Sequence, residues 1–203
     1  MSKHLVIIFA TLAVIVPIFF RIRNVPWNPS LLTDGNALLA YLFPFFGLLA
    51  FTLLWLHAMS GVFEEWLREK FEFDKFVHWT AIIILVSMIL HVLMLLVITR
   101  FNISSLFEHN PAAIFLGIVG FVLLLTYDVG KIFRSREFFV RHWDKTLVVS
   151  TIGFIFIFFH SLMIGSDLQQ GFMRWLWIFY GVTAILATIY TYGIKRFTKR
   201  SSH

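Results

Sequence analysis

Histidine is the residue type in this sequence whose placement invites chemistry. An ionisable side chain is costly within hydrocarbon, so one set deep in a long apolar run is a functional candidate. Two of the eight histidines are set so: His91, after Leu85-Val86-Ser87-Met88-Ile89-Leu90, and His160, after Ile155-Phe156-Ile157-Phe158-Phe159. Neutral imidazole is a good axial ligand for haem iron, and two imidazoles from facing helices can fill both axial positions of one b-type haem. Such a haem keeps no open coordination position, which suits electron transfer better than oxygen binding. The competing reading of each histidine is structural, a ring satisfied by a helix–helix hydrogen bond. Two histidines at matched depth weigh against it.

A third histidine extends the pattern. His78 lies thirteen residues before His91, about 20 Å along a helix, a separation that suits a second haem nearer the cytoplasmic face. Thirteen residues is not a whole number of helical turns, so aligning both rings requires tilt or a helix irregularity. His57 reads as an interfacial residue at the end of a span, and His4, His109 and His203 as solvated. Cysteine is absent, which excludes disulfides, thiolate iron–sulfur ligation and covalent CxxCH attachment.

The elements that hold these residues are membrane spans. The 203 residues are 59% hydrophobic, 18% aromatic and only 14% charged, a composition that points to the lipid bilayer as solvent. Apolar runs place six spans at about 5–20, 37–57, 77–99, 112–129, 146–164 and 173–192. Thr33, Asp34 and Gly35 read as the start signal of the second. The first is a retained helix, because Phe19, Phe20 and Arg21 follow its core where a signal peptide would need a small-residue cleavage site. The expectation is one all-α domain over residues 1–203, a six-helix transmembrane bundle.

Charge orients it. Lys3, Arg68, Lys70, Lys75, Lys131, Arg134, Arg136, Arg141, Lys145, Lys195, Arg196, Lys199 and Arg200 fall on one side of the implied barrier, and only Arg21, Arg23, Arg100 and Arg174 on the other. Cytoplasmic flanks retain positive charge, so both termini are expected in the cytoplasm, in the plasma or inner membrane. The same distribution explains the net charge of +6 without a nucleic-acid partner. Between the second and third spans, Val62 to Phe73 alternates apolar and charged residues at helical spacing, the pattern of a helix lying on the membrane surface. No repeat stands out beyond the echo of Phe76-Val77-His78-Trp79 in Val140-Arg141-His142-Trp143.

These residues also carry a resemblance. Phe73-Asp74-Lys75-Phe76-Val77-His78-Trp79-Thr80-Ala81, with His91 thirteen residues on, resembles the third helix of the ferric reductase-like transmembrane domain superfamily. That superfamily includes NADPH oxidases, ferric reductases and the membrane haem subunit of the bacterial periplasmic methionine sulfoxide reductase system. Arg136-Glu137-Phe138-Phe139-Val140-Arg141-His142-Trp143, leading to His160, resembles its fifth helix, and Thr33-Asp34-Gly35-Asn36-Ala37-Leu38 is similar to the opening of the second helix in the bacterial subunit.

The resemblance implies two stacked haems bridging the third and fifth helices, with electrons passing outward from a cytosolic flavin donor. His91 and His160 match the outer ligand pair. For the inner pair His78 fits, but the position thirteen before His160 is Leu147, which cannot ligate iron. The nearest histidine is His142, eighteen residues or five whole turns before His160. One haem b on His91 and His160 is therefore the expectation, with a second on His78 and His142 as the alternative. Arg134, Arg136 and Arg141 suit haem propionates, since a guanidinium pairs well with a carboxylate. Holding the cytoplasmic orientation explains them equally well.

No GxGxxG or GxxxxGK[ST] loop is present, and about ten residues follow the sixth span. The flavin is thus expected on a separate soluble reductase, or the donor is a small reduced carrier. The leading expectation is an oxidoreductase membrane subunit passing electrons to an extracytoplasmic acceptor. Two others compete: a b-type membrane anchor exchanging electrons with quinone, which also spaces histidines eighteen apart on one helix, and a haem-free transporter or assembly component.

Overall fold

A computed structural model describes residues 3–133 and 135–195. It is all-α, with eight helices: α1 Lys3–Asn24, α2 Gly35–Val62, α3 Glu64–Lys70, α4 Phe73–Ile98, α5 Ile103–His109, α6 Pro111–Ile132, α7 Glu137–Ile164 and α8 Gly171–Ile189. Short 3-10 turns at Pro29–Leu32 and Ser166–Leu168 and a π-helical turn at Tyr190–Lys195 complete the described chain. Six of the helices, α1, α2, α4, α6, α7 and α8, are long and apolar enough to cross a membrane. At 22 to 28 residues, the first five reach about 33–42 Å at 1.5 Å per residue, beyond a hydrocarbon core of about 30 Å.

Each expected span lies within one of these helices, give or take a few terminal residues. The largest difference is at α7, which begins at Glu137 rather than near 146. Hydropathy stops where Glu137, Arg141, Asp144 and Lys145 begin, but the backbone there remains helical up to a break at His142 (φ −108°, ψ 17°). The amphipathic connector is helical as expected, in α3. Asp34 starts α2, its carboxylate accepting from the backbone N–H groups of Asn36 and Ala37 at 2.9 and 3.3 Å.

The chain divides into two compact units, one of Met1–Ile98 with Trp175–His203 and one of Thr99–Arg174. In the first, α1 shows how an apolar helix sorts its faces. Leu5, Ile8, Leu12, Ile15 and Phe19 are exposed at steps of three and four, while Ala13, Pro17 and Arg21 are buried on the opposite stripe. Trp55 of α2 stacks on Tyr180 of α8 with centroids 4.2 Å apart, and its indole N–H donates to Thr183 Oγ1 at 2.8 Å. Phe51 stacks on Trp177 at 4.5 Å.

Pro17 lacks the N–H that would cap the carbonyl of Ala13. The Tyr180 hydroxyl donates to that carbonyl at 3.0 Å. At one end of this unit, Lys3 lies over the Phe71 ring at 5.6 Å and Lys195 pairs with Glu65 at 3.9 Å. Both ends of the described chain therefore lie beside the α2–α4 connector.

The second unit is built on α6 and α7, which meet at two glycines. A Cβ on Gly153 would fall 2.9 Å from the Gly120 carbonyl oxygen, and one on Gly120 would fall 3.0 Å from that of Gly153. Small residues let membrane helices approach this closely. Asn110 caps α6, its side chain accepting from Ala113 N–H at 3.1 Å, with Pro111 in the first turn.

Candidate functional site

His91 lies eighteen residues beyond Phe73, the first residue of α4, about 27 Å along the helix. Its ring is half-buried against α2, with centroids 5.3 Å from Phe43. Its Nδ1 is 2.8 Å from the Phe43 carbonyl oxygen. A carbonyl oxygen only accepts, so Nδ1 carries the proton and donates. In the neutral ring the lone pair then resides on Nε2. One turn along α2 from Phe43 stands Gly47, with the imidazole directly over it: an added Cβ would fall 3.0 Å from both Cε1 and Nδ1.

His160 is placed by the same device in the other unit. It lies eighteen residues beyond the break at His142, and its Nδ1 donates to the Ala113 carbonyl of α6 at 2.8 Å. One turn beyond Ala113 stands Gly117, where an added Cβ would fall 2.6 Å from Nδ1 and 2.7 Å from Cε1. In both units an earlier helix supplies a carbonyl and, four residues on, a glycine. The later helix supplies the histidine. Sequence reasoning found both histidines but passed over Gly47 and Gly117; a glycine inside each apolar span preceding a buried histidine was the available signal.

The remaining candidates are held differently. His78 is exposed on α4, edge-on to Trp79 with centroids 5.6 Å apart. His142 stands at the break in α7, its Nδ1 donating to the Phe138 carbonyl of its own helix at 2.9 Å. Leu147 is buried. Arg136 precedes the first turn of α7 and is exposed, and Arg141 pairs with Glu137 at 3.3 Å in an exposed i,i+4 contact. Arg134, Arg196, Lys199, Arg200 and His203 lie outside the described residues.

His57 bonds to Thr80 Oγ1. The Thr80 hydroxyl spends its proton on the Phe76 carbonyl at 2.6 Å, so His57 donates through Nε2, the reverse of His91 and His160. It is thus held by α4 as well as lying near the end of its span.

Three charged residues complete the picture. Arg68 ties α3 to α4, bonding Asp74 at 2.8 Å and Glu64 at 3.0 Å; these bonds hold its guanidinium pKa above the usual arginine range. Arg21, counted in the sequence only as a flanking charge, is buried, donates to the Tyr41 carbonyl at 3.4 Å and lies over the Tyr41 and Phe45 rings. Asp128, a carboxylate within α6 near its end, also escaped the sequence reading.

Among the described residues no group of three or more His, Cys, Asp or Glu side chains comes together. A bare metal ion would need such a group, whereas haem brings its own in-plane nitrogens and asks the protein only for axial imidazole. A neutral ring with its second nitrogen donated to a backbone carbonyl is the usual state of a metal-ligating histidine, so His91 and His160 fit that role. Comparison with protein-family models, curated proteins and solved structures returned no match.

Proposed function

We propose that the chain is the membrane subunit of an oxidoreductase, carrying b-type haem with His91 and His160 as axial ligands and passing electrons from a cytoplasmic flavin donor to an extracytoplasmic acceptor. One observation carries this reading above the others. Each deep histidine donates its Nδ1 proton to a carbonyl of a neighbouring helix, at 2.8 Å in both cases. In the neutral ring this selects the tautomer whose Nε2 lone pair suits iron. A purely structural histidine has no need of the same tautomer twice, once eighteen residues beyond the start of α4 and once eighteen beyond the break in α7.

Haem b supplies a one-electron iron couple. The protein's part is to orient its ligands, keep water from them with the aliphatic and aromatic faces of its spans, and set the basicity of each imidazole through the carbonyl behind it. Thirteen basic residues on one side against four on the other, counted along the sequence, support cytoplasmic termini and a donor approaching from the more basic side. The location is the plasma or inner membrane. The resemblance to the ferric reductase-like superfamily supports the direction of electron flow and a flavin held by a partner protein.

The test is haem content after ligand removal. His91→Ala and His160→Ala, each purified as the full chain in detergent, should retain at least about tenfold less haem b per chain than the parent. Full haem in either variant would remove that residue from the ligand pair.

A further inference from the structure

We propose that Gly47 and Gly117 are positioning residues for the two imidazoles, holding His91 and His160 in the Nδ1–H tautomer by letting each ring reach a backbone carbonyl. This rests on the haem reading for its purpose, but its geometry stands by itself.

Inside an α-helix a carbonyl oxygen already accepts from the N–H four residues on. For Phe43 and Ala113 the residues four on are Gly47 and Gly117. At both places the imidazole of the other helix reaches that oxygen across the position that the i+4 Cβ would occupy. Any residue but glycine would obstruct it. With glycine the ring crosses that space, its Nδ1 2.8 Å from the oxygen.

The added Cβ would fall 3.0 Å from Nδ1 of His91 and 2.6 Å from Nδ1 of His160. Both lie inside ordinary van der Waals contact, and the second cannot exist without moving the ring. A methyl at residue 117 would drive the imidazole off the carbonyl, and one at residue 47 would displace it less; a displaced ring is free to protonate at Nε2 instead, the nitrogen that iron requires bare. The consequence extends to redox tuning. A donated Nδ1–H raises the electron density of the imidazole and favours the oxidised, more positive iron. Losing it should raise the midpoint potential.

The experiment uses full-length protein labelled with ¹⁵N-histidine, read by NMR with and without added haem. In the haem-free parent, two rings, identified by their loss in His91→Gln and His160→Gln, should show protonated Nδ1 and bare Nε2. Gly117→Ala should shift the His160 ring toward the Nε2–H form and lower haem affinity by about 10- to 100-fold. Gly47→Ala should do the same to His91 by a smaller factor, and residual haem in either should titrate at a higher potential.

Should Gly117→Ala prove too unstable to purify, the double variant Gly117→Ala/His160→Ala keeps the idea testable. With the ring gone the three atoms nearest the added methyl are removed, so the glycine substitution should cost far less thermal stability there than in the parent. An equal cost in both backgrounds, or unchanged tautomers in both single variants, would overturn the assignment. If the parent shows the expected tautomers but takes up no haem, the haem reading fails and the positioning role survives. If haem binds but the variants keep the parent's tautomers, the positioning role fails and the haem reading survives.

Discussion

An imidazole among aliphatic helices has two nitrogens to satisfy, and how it does so distinguishes its role. His57 spends Nε2 on a threonine hydroxyl. His91 and His160 spend Nδ1 on carbonyls and direct the lone pair to Nε2. His142 also donates Nδ1 to a carbonyl, but of its own helix and at a break, and His78 stands exposed beside Trp79. Neither is backed by the carbonyl and glycine of another helix. His78→Ala and His142→Ala should therefore keep the parent's haem-to-protein ratio, measured from extracted haem b. A loss of one haem per chain in both would assign them a second haem.

At the scale of elements, most of the architecture was legible in the sequence, because a membrane helix announces itself by length and hydropathy alone. Asp34 as the start of α2 was legible too, since an Asx side chain at a helix entrance has one obvious use. The early start of α7 was not. Glu137 to Lys145 is charged, and a hydropathy scan does not register a polar helical turn continuous with an apolar span. The histidines could be found by type and depth, but their carbonyl partners could not, since any helical residue has a carbonyl.

Pro17 belongs to this scale as well. Its missing N–H leaves the Ala13 carbonyl to the hydroxyl of Tyr180, which joins α1 to α8. Tyr180→Phe should lower stability by about 1–3 kcal/mol, the cost of leaving a buried acceptor unsatisfied. Thermal unfolding in detergent would measure it. Pro17→Ala in the same background should recover much of the loss, because residue 17 would then supply the N–H itself. No recovery would mean that the loss does not come from leaving the Ala13 carbonyl unsatisfied.

For the whole molecule, the placement of charge makes a prediction that the helices alone do not. Lys3 lies over Phe71 and Lys195 beside Glu65, which sets both described ends of the chain at the α3 end of their unit. The positive-inside rule, applied to the excess of basic residues in the same connections, is the ground on which we propose that this end faces the cytoplasm. Reporter fusions at the two termini should read as cytoplasmic and an insertion near Asn102 as extracytoplasmic; the opposite pattern would reverse the direction of electron flow proposed above.

The central claim is the presence of low-spin, bis-imidazole haem in the purified chain. The reduced-minus-oxidised absorption spectrum of full-length protein in detergent measures it most directly. The account predicts a sharp α band characteristic of b-type haem with two histidine ligands, lost in both His91→Ala and His160→Ala. A spectrum without that band, from protein expressed with ample haem, would contradict it.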